Sequence, residues 1–390
     1  MVTIDVARVR ADTPACAQLA HLNNASAALA PRPVTDSMVE HLRLEQRIGA
    51  YEAAEESADR LDRSYAALAR LITAEPHEIA LAESATRAWN MTCYALPWTP
   101  GDRILTSRAE FASVSIGLQD IARRHSVRID VVPDDATGVL SVEALREMVD
   151  DRVKLIAVTH VPSHNGLVNP VAEIGRIARD ADVVYALDAS QSVGQLPVDV
   201  REIGCDLLVA PGRKFLRGPR GTAFLYCSSR LLDRLEPSQL CLHSARRTET
   251  GALAVREDAR RFETWERCLA GQIGLGVAAE YALGLGLEAI RQRVGELAGG
   301  LRQRLRELPG VTVLDRGERP CGIVAFTVAG HDSADLSRAL RKVGVNVSAT
   351  RPDTAPWDHP VAAVRASPHY YNTEDELDRL CSAIPRRTGG

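Results

Sequence analysis

VVYALDASQSVGQLPVDVREIGCDLLVAPGRKF, residues 183–215, holds two short apolar runs, an acidic residue that closes the first and a lysine just beyond the second. The runs VVYALDAS (183–190) and DLLVA (206–210) are strand-length and apolar without alternation, which is how strands buried on both faces read. The pattern repeats outward in RILTS (103–107), VRIDVV (127–132), VKLIAVTH (153–160) and TAFLYC (222–227). Helical stretches such as SVEALREMVDD (141–151) and NPVAEIGRIARDAD (169–182) lie between them. This order predicts an α/β fold with a largely parallel central sheet covered by helices. Ligands of such sheets collect at the carboxyl ends of the strands. Asp188 and Lys214, 26 residues apart (214 − 188), each end a strand and so share one rim.

Residues 51–74 read as one long amphipathic helix, and 270–308 as one or two helices. VTVLD (311–315), GIVAFTVAG (322–330), the helical SADLSRALRKVG (333–344), VNVSA (345–349) and VAAVRAS (361–367) follow. The mixture predicts a smaller α+β C-terminal domain. The expected division is a large cofactor-binding domain over 20–259 and a small domain over 260–390, joined by the N-terminal segment 1–19.

The 390 residues carry 45% hydrophobic side chains, enough for a sizeable core, and a formal charge of −4. Nucleic-acid binders carry a clustered basic footprint, and this sequence has none. A small-molecule function is therefore favoured over a nucleic-acid partner. No stretch reads as a signal peptide or approaches the roughly 18 apolar residues of a membrane helix. The expectation is a cytoplasmic protein with no membrane partner. Eight scattered cysteines form no CxxC pair and no Cys/His cluster, so no metal is expected and most thiols read as reduced core residues.

Lysine is scarce: Lys154, Lys214 and Lys342 are the three, and the other 44 of 47 basic residues (47 − 3) are arginines. Arginine stays protonated, whereas a buried lysine can become a nucleophilic amine. Lys154 begins a strand and Lys342 lies on an amphipathic helix, which leaves Lys214 as the one at a strand's carboxyl end with an acid upstream. RGPRG (217–221) beyond it reads either as a phosphate-gripping loop or as a Gly/Pro turn. A lysine to hold an aldehyde covalently and a carboxylate, Asp188, to keep a pyridine nitrogen protonated are what pyridoxal 5'-phosphate chemistry needs. Gln191, three residues after Asp188, could donate to the ring's phenolic oxygen.

From HLNNASAA (21–28) to RASPHYYNTEDEL (365–377), the chain resembles fold-type I, class V aminotransferase-like enzymes, a group that includes cysteine desulfurases, isopenicillin N epimerase-like proteins and cysteine-conjugate C–S lyases. The most specific match is R-x-S-x-x-x-Y-N-T, present as Arg365, Ser367, Tyr371, Asn372 and Thr373. The resemblance implies that Arg365 clamps the substrate's α-carboxylate, a task suited to a planar fork, with Asn24 also meeting substrate. It implies that ESATRAWN (83–90) starts the helix that holds the cofactor phosphate, Ala85 and Thr86 being the donors. Arg213 would add a phosphate contact, while Pro211 replaces a common hydroxyl residue. It further implies that Phe111 in RAEFASVSI (108–116) stacks on the cofactor and that Ser163 in THVPSHNGLVNP (159–170) lies in the loop beneath it. His164 in that loop reads as an acid/base or as a hydrogen-bonded neighbour. RRFETWER (260–267) matches a segment that reaches the partner's site in a homodimer with shared active sites, although it has Thr264-Trp265 where relatives have Gly-Thr.

The resemblance leaves the reaction open. Desulfurases carry a sulfur-accepting cysteine before the carboxylate-binding arginine, and NVSATRPDTAPWDHPVAAV (346–364) contains none. GRKFLRGPRGTAFLY, RRFETWE and VRASPHYYNTEDEL look most like hercynylcysteine sulfoxide lyases and related enzymes of sulfur-containing natural-product biosynthesis. The expectation is a lyase that cleaves a cysteine S-conjugate, or its sulfoxide, by β-elimination to a thiol-type product, pyruvate and ammonia. Decarboxylating oxidative deamination, epimerisation and a non-catalytic regulator are the alternatives.

Overall fold

A computed structural model of the chain describes residues 3–318 and 320–385. Its central sheet is built from Ile79–Ala82 (β1), Arg103–Thr106 (β2), Arg128–Val131 (β3), Val153–Thr159 (β4), Val184–Asp188 (β5), Leu207–Pro211 (β6) and Ala223–Cys227 (β7). The spatial order is β1-β7-β6-β5-β4-β2-β3. Strands β3, β2, β4, β5 and β6 pair in parallel, and β7 runs antiparallel to both β6 and β1. The unalternating apolar runs have a direct cause: successive residues enter two different cores. Ile156, Val158, Leu187 and Leu208 pack on one face, and Leu155, Ala157, Ala186 and Leu207 on the other.

The reversal at β7 needs only a compact connection after β6. Gly212 N–H donates to the Thr222 carbonyl at 2.9 Å and Gly218 N–H to the Gly212 carbonyl at 2.7 Å, folding residues 212–222 into a closed loop. RGPRG is therefore part of a turn between antiparallel strands, and Lys214 projects from that turn at the carboxyl end of β6. Close packing elsewhere requires glycine. A Cβ on Gly175, in the helix Val171–Asp180, would lie 1.7 Å from the Ile203 carbonyl oxygen.

The expected helix over 51–74 divides into Ala50–Glu56 and Ala58–Leu71. Ser57 between them is buried, and its hydroxyl pairs with His41 Nδ1 at 3.1 Å. A polar side chain drawn sideways to a buried partner competes with helix propagation, and the amphipathic pattern does not register this.

A second sheet consists of Val311–Val313 (β8), Val324–Val328 (β9), Ser348–Ala349 (β10) and Val364–Ala366 (β11), in the antiparallel order β8-β9-β11-β10. Its core, including Leu301, Phe326 and Leu377, also takes in Ala20 and Leu22. Ala20–His21 pairs in parallel with Val345–Asn346. The helix Leu269–Leu285 instead packs its Leu275, Ala278 and Ala279 into the core of the large sheet with Tyr65 and Leu68. The change of core thus falls near Gly286, not at residue 260, and residues 20–22 side with the smaller unit. Gly286, at φ +86°, separates this helix from Leu287–Arg306. That second helix begins against the first core at Ile290 and ends against the second at Leu305.

Candidate active site

A cavity of ≈ 300 Å³ opens at the carboxyl ends of β5 and β6, lined by Ala85, Thr86, Phe111, Asp188, Arg213 and Lys214 among others. Six sequence-predicted residues from four separate stretches thus meet in one place. The connection after β6 delivers Lys214, whose Nζ stands 5.9 Å from the centroid of the Phe111 ring. Burial is the main influence on the lysine, and Arg213 and Arg365 add to it. Against the opposing attraction of Asp188, they push the amine down to about 7. A desolvated amine surrounded by other cations is an activated nucleophile.

Asp188 ends β5 with its carboxylate buried, and Oδ1 accepts from Ser190 N–H at 2.9 Å. Gln191 is one turn further on and does not line the cavity. Its amide donates to the Ala25 carbonyl at 2.9 Å, and its buried Oε1 has no partner. One of the two N–H groups expected to serve a phenolic oxygen thus donates to the backbone. At the opposite wall, the helix Ala85–Cys93 begins with Ser84 as cap, its hydroxyl accepting from Arg87 N–H at 3.1 Å. The first N–H groups of a helix lack intrahelical acceptors, which leaves Ala85 and Thr86 to meet an anion in the cavity. Arg213 donates to the Ser26 carbonyl, and burial lowers its pKa.

Arg365, on β11, is buried and held by three different elements. Nε donates to Ser348 Oγ at 3.1 Å, Nη1 to the Ser163 carbonyl at 2.6 Å and Nη2 to Ser26 Oγ at 2.5 Å. Burial and the neighbouring Arg213 lower its pKa to about 10. Ser163 therefore contributes its main-chain oxygen to this site.

One expected role is corrected. Asn24 is fully buried, with Nδ2 donating to the Ser367 carbonyl at 2.7 Å and the His21 carbonyl at 3.2 Å, and Oδ1 accepting from Tyr371 Oη. Its amide is committed to tying the Arg365 segment to the N-terminal strand, so none of it is left to meet substrate. Of the two readings of His164, the structure shows the hydrogen-bonded neighbour: Nε2 lies 2.7 Å from Asp358 Oδ2, and His164 does not line the cavity. Thr264 and Trp265 stand away from this cavity, and Trp265 is half exposed on a separate groove.

Three groups escaped the sequence reading. Trp89 lines the cavity with an indole N–H that is buried and unpartnered. Glu110, next to Phe111, is fully buried and accepts from Thr159 N–H at 2.8 Å, Thr159 Oγ1 at 2.6 Å and Ser107 Oγ at 2.5 Å. Burial raises its carboxyl to about 7 against those bonds. His160 follows β4, is buried with Nδ1 unpartnered, and is pushed down to about 4 by burial. Glu110 lies one residue from a stacking candidate and His160 one from a strand end, and both positions are readable signals.

The chemistry of this donor set fits pyridoxal phosphate. A flat ring and a phosphate suit the cavity's size. The lysine, the buried carboxylate at a strand end and the free helix start match the aldehyde, the ring nitrogen and the phosphate in turn.

Comparison with known proteins agrees. The family model for aminotransferase class-V matches residues 20–380. A probable cysteine desulfurase of Methanothermobacter thermautotrophicus is 29% identical over 399 residues, covering 100% of both chains. A probable cysteine desulfurase of Xylella fastidiosa is 30% identical, covering 97% of this chain and 95% of that one. The apo structure of a cysteine desulfurase from Thermococcus onnurineus NA1 superimposes with a TM-score of 0.91 at 25% identity, over 98% of each chain. The cystine C-S lyase C-DES in complex with cysteine persulfide shares the fold at a TM-score of 0.87 and 23% identity, covering 95% of this chain and 98% of that one. The chain belongs to the aminotransferase class-V family and is a fold-type I, pyridoxal-phosphate-dependent enzyme.

Proposed function

We propose that the enzyme is a carbon–sulfur lyase that cleaves a cysteine S-conjugate, or its sulfoxide, by β-elimination to a thiol-type product, pyruvate and ammonia. One observation carries this reading. The cavity wall offers a lysine amine lowered to about 7, and among its lining residues there is no cysteine to accept sulfur. When bound, the cofactor supplies a ring that takes up negative charge from Cα. Asp188 holds a proton at the ring nitrogen. Lys214 removes the Cα proton and can return one to the departing sulfur, since one amine near neutral pKa serves as both base and acid. Arg365 orients the substrate carboxylate, and Phe111 stacks over the ring without titrating.

The relatives' descriptions as cysteine desulfurases favour a second reading, in which free cysteine is the substrate and a protein thiol takes the sulfur. Cys321 and Cys381 flank the strap that would carry such a thiol. Burial pushes both thiols up to about 11, the opposite of what a nucleophile needs. Cys321→Ala and Cys381→Ala should each keep C–S cleavage within about twofold of the parent, as substitutions outside the reacting groups do. A loss greater than about tenfold in either variant, with the cofactor still bound, would move the assignment to persulfide relay.

A homodimer is proposed alongside. Leu42, Tyr51 and Trp265 are 51%, 71% and 52% exposed along one groove, and a symmetric second copy is the commonest cover for such a surface.

A further inference from the structure

The strap from Thr350 to Ala363 leaves the small sheet after β10 and re-enters it as β11, one residue before Arg365 in the chain order Val364-Arg365. Its base is closed in both directions: Thr350 N–H donates to the Ala363 carbonyl at 2.7 Å, and Ala363 N–H to Thr350 Oγ1 at 3.0 Å. Its tip is pinned as well. The Asp358 side chain is 2% exposed, as is that of His164, 194 residues away in sequence. His164 Nε2 lies 2.7 Å from one Asp358 oxygen, and Arg316 Nη1 lies 2.8 Å from the other. Burial alone would raise this carboxyl, yet the bonds from His164 and Arg316 hold it near 2. Trp357, adjacent in the strap, packs against the core that contains Trp89.

Removing two charged or polar groups from water this completely is costly unless the geometry is required. The residue before His164 supplies the reason. The Ser163 carbonyl accepts from Arg365 Nη1 at 2.6 Å. The latch therefore fixes the loop that orients one arm of the guanidinium, and the strap it pins runs into the strand that carries Arg365. Latch and strap converge on one side chain from opposite directions.

We propose that Asp358 and His164 are positioning residues for recognition of the substrate carboxylate: their contact sets the Ser163 carbonyl and the Thr350–Ala363 strap, and through them the orientation of the Arg365 fork. This rests on the reading that Arg365 receives the carboxylate. Neither residue touches substrate, and their effect is confined to how well the fork is aimed.

The test titrates the holoenzyme with L-alanine, an amino acid with no leaving group, and with ethylamine, which lacks the carboxylate, following the cofactor's visible absorption. Asp358→Ala and His164→Gln should each raise the Kd for L-alanine about tenfold, a misaligned fork losing part of its hydrogen bonding, while the Kd for ethylamine stays within about twofold. Asp358→Asn, which keeps an oxygen for His164, should fall between parent and Asp358→Ala. Arg365→Ala is measured in parallel. If it weakens L-alanine and the latch variants do not, the latch is overturned and the carboxylate reading stands. If Arg365→Ala leaves L-alanine unchanged, the carboxylate reading fails and the latch with it. If the latch variants weaken both ligands equally, they act on the general integrity of the site and the proposed role is wrong.

Discussion

Lys214→Ala yields a folded protein that takes up pyridoxal phosphate without covalent capture and cleaves C–S bonds about 10⁴-fold more slowly. No other group can take over. The other charged residues that line the cavity are Arg213 and Arg220, guanidinium side chains that make poor bases, Asp188, the proposed partner of the ring nitrogen, and Glu83 at the exposed rim. Glu110 lies close by with its oxygens already bonded to Ser107 and Thr159. Lys214→Arg should be as inactive as Lys214→Ala, because a guanidinium does not give up its proton. The same amine fixes a pH dependence. Burial and two arginines lower it to about 7, so it is protonated and inert below that pH and free above it. Capture of pyridoxal phosphate by the apoprotein, trapped by borohydride reduction, should therefore rise with pH through a midpoint near 7. A midpoint at the ordinary lysine value of 10.5, or turnover by Lys214→Ala within tenfold of the parent, would remove this lysine from the mechanism.

Arg217→Ala destabilises the protein by about 3–5 kcal/mol, enough to unfold much of a marginally stable chain. Arg217 is 1% exposed with φ +62°, a left-handed conformation rare for a long side chain. Its Nε donates to the Leu29 carbonyl at 2.8 Å, Nη1 to Tyr370 Oη at 2.8 Å and Nη2 to Thr13 Oγ1 at 2.6 Å. The rings of Tyr371, Tyr370 and Tyr281 surround the guanidinium with centroids 4.5, 5.0 and 5.8 Å away. Among the described residues no carboxylate bonds to it directly. Aromatic faces and oxygens replace its hydration, joining the N-terminal segment and the Tyr370-Tyr371 motif to the loop of Lys214, whose carbonyl accepts from Arg217 N–H at 2.9 Å. Truncation leaves buried acceptors unpaired and opens a cavity. Arg217→Lys keeps the cation but has no fork, so it should recover only part of the loss. Chemical unfolding followed by circular dichroism measures both variants. A change below about 1 kcal/mol for Arg217→Ala would show that the cluster is not the brace described.

The sequence carried the parts of this enzyme that depend on local pattern. Apolar runs such as VKLIAVTH and VVYALDAS mark strands because each residue, whichever face it takes, enters a core. Asp188 and Lys214 are legible because strand ends of a parallel sheet share a rim. What stayed hidden depends on partners far away in the chain. Ser57 breaks a helix because His41 reaches it. The helix Leu269–Leu285 joins the large core because glycines let it approach closely: a Cβ on Gly276 would lie 2.1 Å from Ser64 Oγ. Asn24 matches a family position yet is consumed by Ser367 and Tyr371, and His164 meets Asp358 across 194 residues. Composition and spacing contain no record of such pairings.

Product stoichiometry distinguishes β-elimination of a cysteine S-conjugate from the other reactions open to this site. The holoenzyme is mixed with S-benzyl-L-cysteine, with the corresponding sulfoxide and, separately, with L-cysteine, and released thiol or sulfenic product, pyruvate, ammonia, carbon dioxide and alanine are quantified together. Pyruvate and ammonia are expected in equal amounts with the sulfur product from at least one of the two conjugates, with no carbon dioxide. Alanine with a protein-bound persulfide from L-cysteine, or carbon dioxide released with an aldehyde, would contradict β-elimination.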